Sequence, residues 1–204
     1  MSRTLLVALF VTAFTSIASA QFARPPHPIR VEPAAPDRAA VRAALARARA
    51  HNLAAFRAYV KRGTYPSNTF SEGRLNVWSD AEGHLCAAAT IINLSGQHDL
   101  VKRVAEQTNF IRLGDVKQGP LMDWILASGF TQAEIAAIQE PFSPVTKPSR
   151  RIDANLRTAE DARLRARYAE VDRQLVRGEQ TSLDLATDRL LERPQLARVL
   201  LAVK

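Results

Sequence analysis

Residues 75–92 read LNVWSDAEGHLCAAATII, and the way this stretch folds decides the middle of the chain. Leu75 to Ser79 reads as a short strand. Asp80-Ala81-Glu82-Gly83 fits a type I turn, with Asp at the first position and Gly at the fourth. Gly83 supplies positive φ, and His84-Leu85-Cys86 begins a return strand, so the expectation is a short β-hairpin. Beyond it the signals conflict. Three alanines favour helix, whereas Thr90, Ile91 and Ile92 favour strand. The reading adopted is a helix that ends at Ser95-Gly96.

Upstream, Asp37 is an N-cap and RAAVRAALARARAHNLAAFRAYVKRG reads as one helix to Arg62, closed by Gly63. Val41, Leu45, Ala48, Asn52, Phe56 and Tyr59 or Val60 recur at steps of three or four and share a face. Arginines 38, 42, 49 and 57 are expected elsewhere on that helix. Downstream, Gln97 to Thr108 reads as a helix with Leu100, Val101, Val104 and Ala105 inward, and Phe110 to Leu113 as an extended piece. Pro120 suits a first helical position, where its missing amide is not needed. The run from Leu121 to Ser128 is apolar almost all round and belongs in the core. Thr131 and Glu134 form a capping box for the next helix, with Ile135 and Ile138 inward. A proline-broken linker follows. Asp153 or Thr158 then caps a helix to Val176, with Leu156, Ala159, Leu164, Tyr168, Val171 and Leu175 as inner positions. Gly178 stops it, Thr181 starts a helix to Glu192, and Pro194 opens a last one. The fold expected is mainly α: a small helical domain over residues 37–142 with one short β-hairpin. A linker at 143–152 and a C-terminal helical appendage at 153–204 complete it.

The chain opens MSRTLLVALFVTAFTSIASAQ. One arginine, an apolar run and Ala18-Ser19-Ala20 make a secretory signal over residues 1–20, with cleavage expected after Ala20. Residues 21–36 hold five prolines and read as an extended tether. No later stretch reaches the ~20 apolar residues of a membrane-spanning helix. A soluble, exported protein is expected, periplasmic or extracellular. The net charge of +8 is uneven. Residues 21–62 hold nine Arg and Lys against two Asp and Glu, and residues 63–149 hold six against nine. The helix at 37–62 is thus basic and amphipathic, which allows contact with an anionic surface. Its stripe is rich in Ala and poor in Leu and Trp, so packing on the protein's own core is preferred. No aromatics interleave the arginines as a base-stacking surface requires, so nucleic acid is not an expected partner.

Cys86 is the only cysteine, so an intrachain disulfide is excluded. If a helix starts just after it, free amides and the helix dipole favour the thiolate. A nucleophilic thiol also needs a base within hydrogen-bond reach. His84, two positions earlier on a strand, shares a face with Cys86, with Cβ atoms roughly 7 Å apart. His51 could approach from the first helix. Cys86, His84 and His51 are therefore the candidate catalytic residues of a thiol-dependent hydrolase. Against this, Asp80 and Gly83 are explained by the turn alone, and a free cysteine is among the most buried residue types. The zinc-type ligand clusters and the calcium-loop carboxylate pattern are missing, as are the nucleotide and hydrolase motifs, so no metal or cofactor is expected.

Asp80-x-x-Gly83-x-x-Cys86-Ala87, Ser95-Gly96, Gly119-Pro-Leu-x-x-Trp124 and Ser128-Gly-x-Thr131-x-x-Glu134 through Ile138-Gln139 together carry a resemblance. Over residues 51–142 the chain resembles a family of exported bacterial proteins of unknown function. The resemblance implies export and a shared core, and no reaction. The function expected is that of a non-enzymatic interaction or envelope-associated protein, its partner a protein reached through the C-terminal helices. The alternative is the hydrolase built on Cys86.

Overall fold

Asp37 sets the start of the longest helix as the sequence demands: its carboxylate accepts the Ala40 amide at 2.8 Å. In the computed structural model, which describes residues 34–146 and 151–202, that helix is α1, Arg38–Arg62. Gly63 ends it with φ 69°, its amide reaching back to the Tyr59 carbonyl at 3.2 Å. The expected signal segment and most of the tether lie outside the described residues. The other helices are α2 (Ala87–Leu94), α3 (His98–Thr108), α4 (Pro120–Ala127), α5 (Gln132–Ile138), α6 (Ala154–Arg177), α7 (Glu179–Leu191) and α8 (Pro194–Ala202). A single 3-10 turn spans Leu113–Asp115. The protein is mainly helical.

The expected β-hairpin is not there. Ser79 and Leu85 meet only in an isolated antiparallel bridge. The turn itself forms, with Gly83 at φ 81° and its amide on the Asp80 carbonyl at 3.1 Å. What stops a ladder is competition for the backbone. Asn109 claims the incoming arm: its carbonyl takes the Trp78 amide at 2.8 Å, and its side chain takes the Ser79 amide and donates to the Ser79 carbonyl, both at 2.9 Å. On the other arm, Cys86 has already become the N-cap of α2. The residues 87–94 that read both ways are helical, and all of Ala87 to Ile92 are buried. Burial of a short apolar helix overrides the β preference of Thr90 and the isoleucines.

α1 is the strut of the molecule. It contacts α2 on one side and α6, α7 and α8 on another. Val41, Leu45, Phe56 and Tyr59 of α1 share one core with Ile91 and Ile92 of α2, Leu164, Tyr168 and Leu175 of α6, and Leu183 and Leu190 of α7. The C-terminal helices therefore belong to the same core as the middle of the chain. Acidic groups of those helices meet the α1 arginines: Arg38 pairs with Asp188, Arg42 with Asp184 and Arg57 with Asp172, each at 2.7 Å. Exposed pairs of this kind contribute ~0–1 kcal/mol each, so they set register more than stability. The segment read as a linker is partly packed, with Val145 buried.

Two inner-face assignments need correction. Leu156 and Ala159 of α6 are exposed, and Glu160 is buried in their place. Glu160 accepts the Ser143 amide at 2.8 Å and a salt bridge from Arg163 at 2.7 Å, so this end of α6 docks through polar groups. Arg49, expected away from the apolar face, is 2% exposed. Its guanidinium donates to both Glu134 carboxylate oxygens at 3.0 and 2.8 Å, to the Gly129 carbonyl at 3.1 Å and to the Leu175 carbonyl at 2.6 Å. It also lies over the Phe130 ring, 4.8 Å from the centroid.

The turn between α4 and α5 rests directly on α1. Asn52 donates to the Ser128 carbonyl at 2.9 Å. Gly129 has φ 79°, and a Cβ placed there would sit 2.2 Å from the Leu45 carbonyl oxygen and 2.7 Å from the Arg49 amide. Gly96 shares the left-handed conformation, φ 86°, but a Cβ there meets open space. Gly96→Ala should cost the backbone strain alone, ~1–2 kcal/mol. Gly129→Ala should cost at least twice that in urea unfolding, because backbone must also move. Equal losses in the two variants would show that the turn does not sit tightly on α1.

Candidate functional site

Asp80 organises the turn that precedes Cys86. Its buried carboxylate takes the amides of Ser67 at 3.0 Å, Glu82 at 3.1 Å and His84 at 2.8 Å, and the His84 Nδ1 at 3.0 Å. That last contact places the neutral imidazole proton on Nδ1 and leaves Nε2 outside the cluster. Asp80, Glu82 and His84 bring ligand-type atoms within 4.8 Å of one another. The Asp80 oxygens in that group are already engaged by four donors, which accounts for the cluster as turn structure. Cys86 does not belong to it.

Cys86 sits at the start of α2, where the sequence places it. The Ala89 amide donates to its sulfur at 3.4 Å. Two effects oppose each other there. Complete burial pushes the thiol up, to about 12, and the amides of the first helical turn pull it down by less. Desolvation wins, so the helix start does not yield a thiolate near neutral pH. Two members of an aromatic cluster, Tyr59 and Tyr168, lie close to the sulfur. Phe56, Tyr59, Tyr65 and Tyr168 pack with centroids 5.4–5.8 Å apart. Burial raises Tyr59 and Tyr168 as well, and each is close enough to Cys86 for one ionisation to oppose the other.

The three candidate residues are thus not brought together. His84 is half-exposed and tied to Asp80, His51 is exposed on α1, and Cys86 is fully enclosed. His98 makes its own contact, Nδ1 to Asn93 Oδ1 at 2.8 Å. Among the described residues, no histidine hydrogen-bonds to the sulfur.

Sequence reasoning missed the surface features that stand out most. Phe70 and Phe110 are 48% and 45% exposed and pack edge-to-face with centroids 5.2 Å apart. Phe110 also lines a cleft of about 390 Å³, with Leu75, Leu113 and Pro141 among its apolar lining and Arg74 and Arg112 among its charged lining. Both phenylalanines lie in polar, turn-rich segments, NTFSEG and TNFIR. An aromatic residue in such a context was the available signal. A second hollow, of about 330 Å³, lies where the end of α1 approaches α2 and is lined in part by Arg62, His84 and Thr90. No protein-family model, curated protein or solved structure matches the chain.

Iodoacetamide should therefore label Cys86 slowly near neutral pH in the native protein and rapidly after unfolding in urea. The rate should follow unfolding and not thiol ionisation. Rapid labelling of the native protein, competing with free cysteine in solution, would contradict an enclosed sulfur.

Proposed function

We propose that this is an exported protein that acts by contact and not by catalysis, with its contact surface built around Phe70 and Phe110. One observation carries the reading: two large aromatic rings stand nearly half exposed, against each other, beside a cleft. Hydrophobic groups scattered singly over a surface are ordinary, whereas a joined pair at a concave edge suits a partner. The C-terminal helices also expose apolar residues, Leu185 and Val199, and remain the secondary contact surface.

The two rings are held in place before any partner arrives. The buried Asn68 accepts the Phe70 amide at 3.2 Å, and its side-chain NH2 donates to the Gly73 and Phe142 carbonyls at 2.8 and 3.0 Å. Asn109, next to Phe110, is tied to Trp78 and Ser79 as described above. Preorganised aromatics lose little freedom on binding, which favours affinity. The leader-like residues 1–20 support export. The enclosed thiol supports a packing role for Cys86 and weighs against the hydrolase.

The test uses a Phe70→Ser, Phe110→Ser double variant. Each ring is nearly half exposed, so the change should leave the fold intact at a cost of ~1–3 kcal/mol. Chemical crosslinking in the producing cells, read by mass spectrometry, should give adducts with the unaltered protein that the double variant loses. Identical adducts from both, at equal abundance, would contradict this surface. Recovery of the protein with its mature N-terminus at Gln21 checks the export half of the reading.

A further inference from the structure

The hollow between the end of α1 and α2 has a wall of donors. Arg62 lines it from α1, Thr64 from the chain that follows, His84 from the Asp80 turn, and Thr90 and Asn93 from α2. No aspartate or glutamate is on that wall. Arg62 has no carboxylate partner among the described residues, and its guanidinium rests 5.6 Å from the centroid of the Tyr59 ring. Thr90 is 5% exposed, and its hydroxyl has no hydrogen-bond partner. A concave site with an unpaired guanidinium, an anchored imidazole and no carboxylate on its wall suits an anion. We infer that this hollow binds a phosphate or sulfate group, held chiefly by Arg62 and His84. The side chains of Leu85 and Leu94 on the same wall leave room for an apolar body attached to that group.

The chemistry of His84 gives the site a signature. Its Nδ1 is held on Asp80 at 3.0 Å, so in the neutral ring Nε2 carries a lone pair and repels an anion. Protonation turns Nε2 into a donor without moving the ring. The protonated ring therefore binds an anion more strongly than the neutral one. The charged groups around the ring are Asp80 and Glu82 on its own turn and Arg62 on α1; α2, AAATIINL, brings none. Asp80 is already surrounded by four donors, and Glu82 does not line the hollow. The α1 C-terminus adds about half a negative charge, less than the full charge of Arg62.

The experiment is an NMR titration of the whole chain with sodium sulfate at constant ionic strength, followed at the histidine ring protons. Sulfate stays dianionic across the range used. At about pH 6, saturable shifts are expected at His84 and not at His51 or His98. Affinity should fall several-fold at about pH 8. Arg62→Gln should weaken binding several-fold, and Arg47→Gln, which changes an exposed cation elsewhere on α1, should not. Phenyl phosphate in place of sulfate separates the two sources. Tighter binding identifies an organic phosphate ester, and equal binding identifies the inorganic anion. The inference is overturned if His84 shows no saturable shift at about pH 6, if all three histidines shift alike, or if Arg62→Gln leaves the affinity unchanged.

Discussion

The buried guanidinium of Arg49 is the constraint on which the rest of the fold depends. It sits in the middle of α1 and reaches, within 3.1 Å, the carboxylate that caps α5, the carbonyl of the α4–α5 turn and the last turn of α6. Glu134 extends the link to α7, accepting from Ser182 at 2.9 Å. One charge thus links α1 to the α4–α5 turn, α5, α6 and, through Glu134, α7. Burying a charge is costly unless its partners are complete, and here only Nε lacks an acceptor. Burial pushes the Glu134 carboxyl up, but the hydrogen bonds from Arg49, the Thr131 amide and Ser182 outweigh it and hold the group below its usual range. The capping box of α5 and the buried ion pair are the same carboxylate serving two purposes.

With α1 and the α4–α5 turn locked together, α2 is also buried against α1. That burial explains Cys86. A thiol at a helix start has the electrostatics of a reactive group, yet complete burial close to Tyr59 and Tyr168 reverses the balance. The Asp80 turn does its work through the backbone of Ser67, Glu82 and His84, and leaves the imidazole edge at the surface. The chemistry that the sequence concentrates in seven residues is separated in space, with the sulfur inside and the imidazole outside. What remains outside consists of contact features: an aromatic pair held by Asn68 and Asn109, and a donor-lined hollow beside His84.

Much of this was legible beforehand. Asp37, Gly63, Pro120, Thr131 with Glu134, Asp153 and Gly178 act as helix boundaries because capping is local chemistry, written within three or four residues. The period of Val41, Leu45, Asn52, Phe56 and Tyr59 gave the buried face of α1. What was not legible depends on distant partners. Arg49 reads as a surface residue until Glu134, 85 positions away, is placed beside it. Glu160 takes an inner position because Ser143 and Arg163 complete its bonds. The pairing stops at one bridge because the Asn109 carbonyl, 31 residues on, takes the Trp78 amide and the Cys86 carbonyl turns into α2. Phe70 and Phe110 meet across 40 positions that no helical or strand period connects.

A double-mutant cycle on Arg49→Met and Glu134→Gln, by urea unfolding near neutral pH, tests the central claim most directly. Arg49→Met strands a buried carboxylate and should cost ~3–5 kcal/mol. The double variant should recover part of the summed loss, with a coupling of ~1–3 kcal/mol. Because the folded carboxyl lies below its unfolded value of about 4.5, the pair's contribution is present above that pH and is lost as pH falls through the folded value. Acid should therefore weaken the unaltered protein more than the Arg49→Met variant. Strictly additive losses, or parallel acid profiles in the two proteins, would contradict a structure organised around this pair.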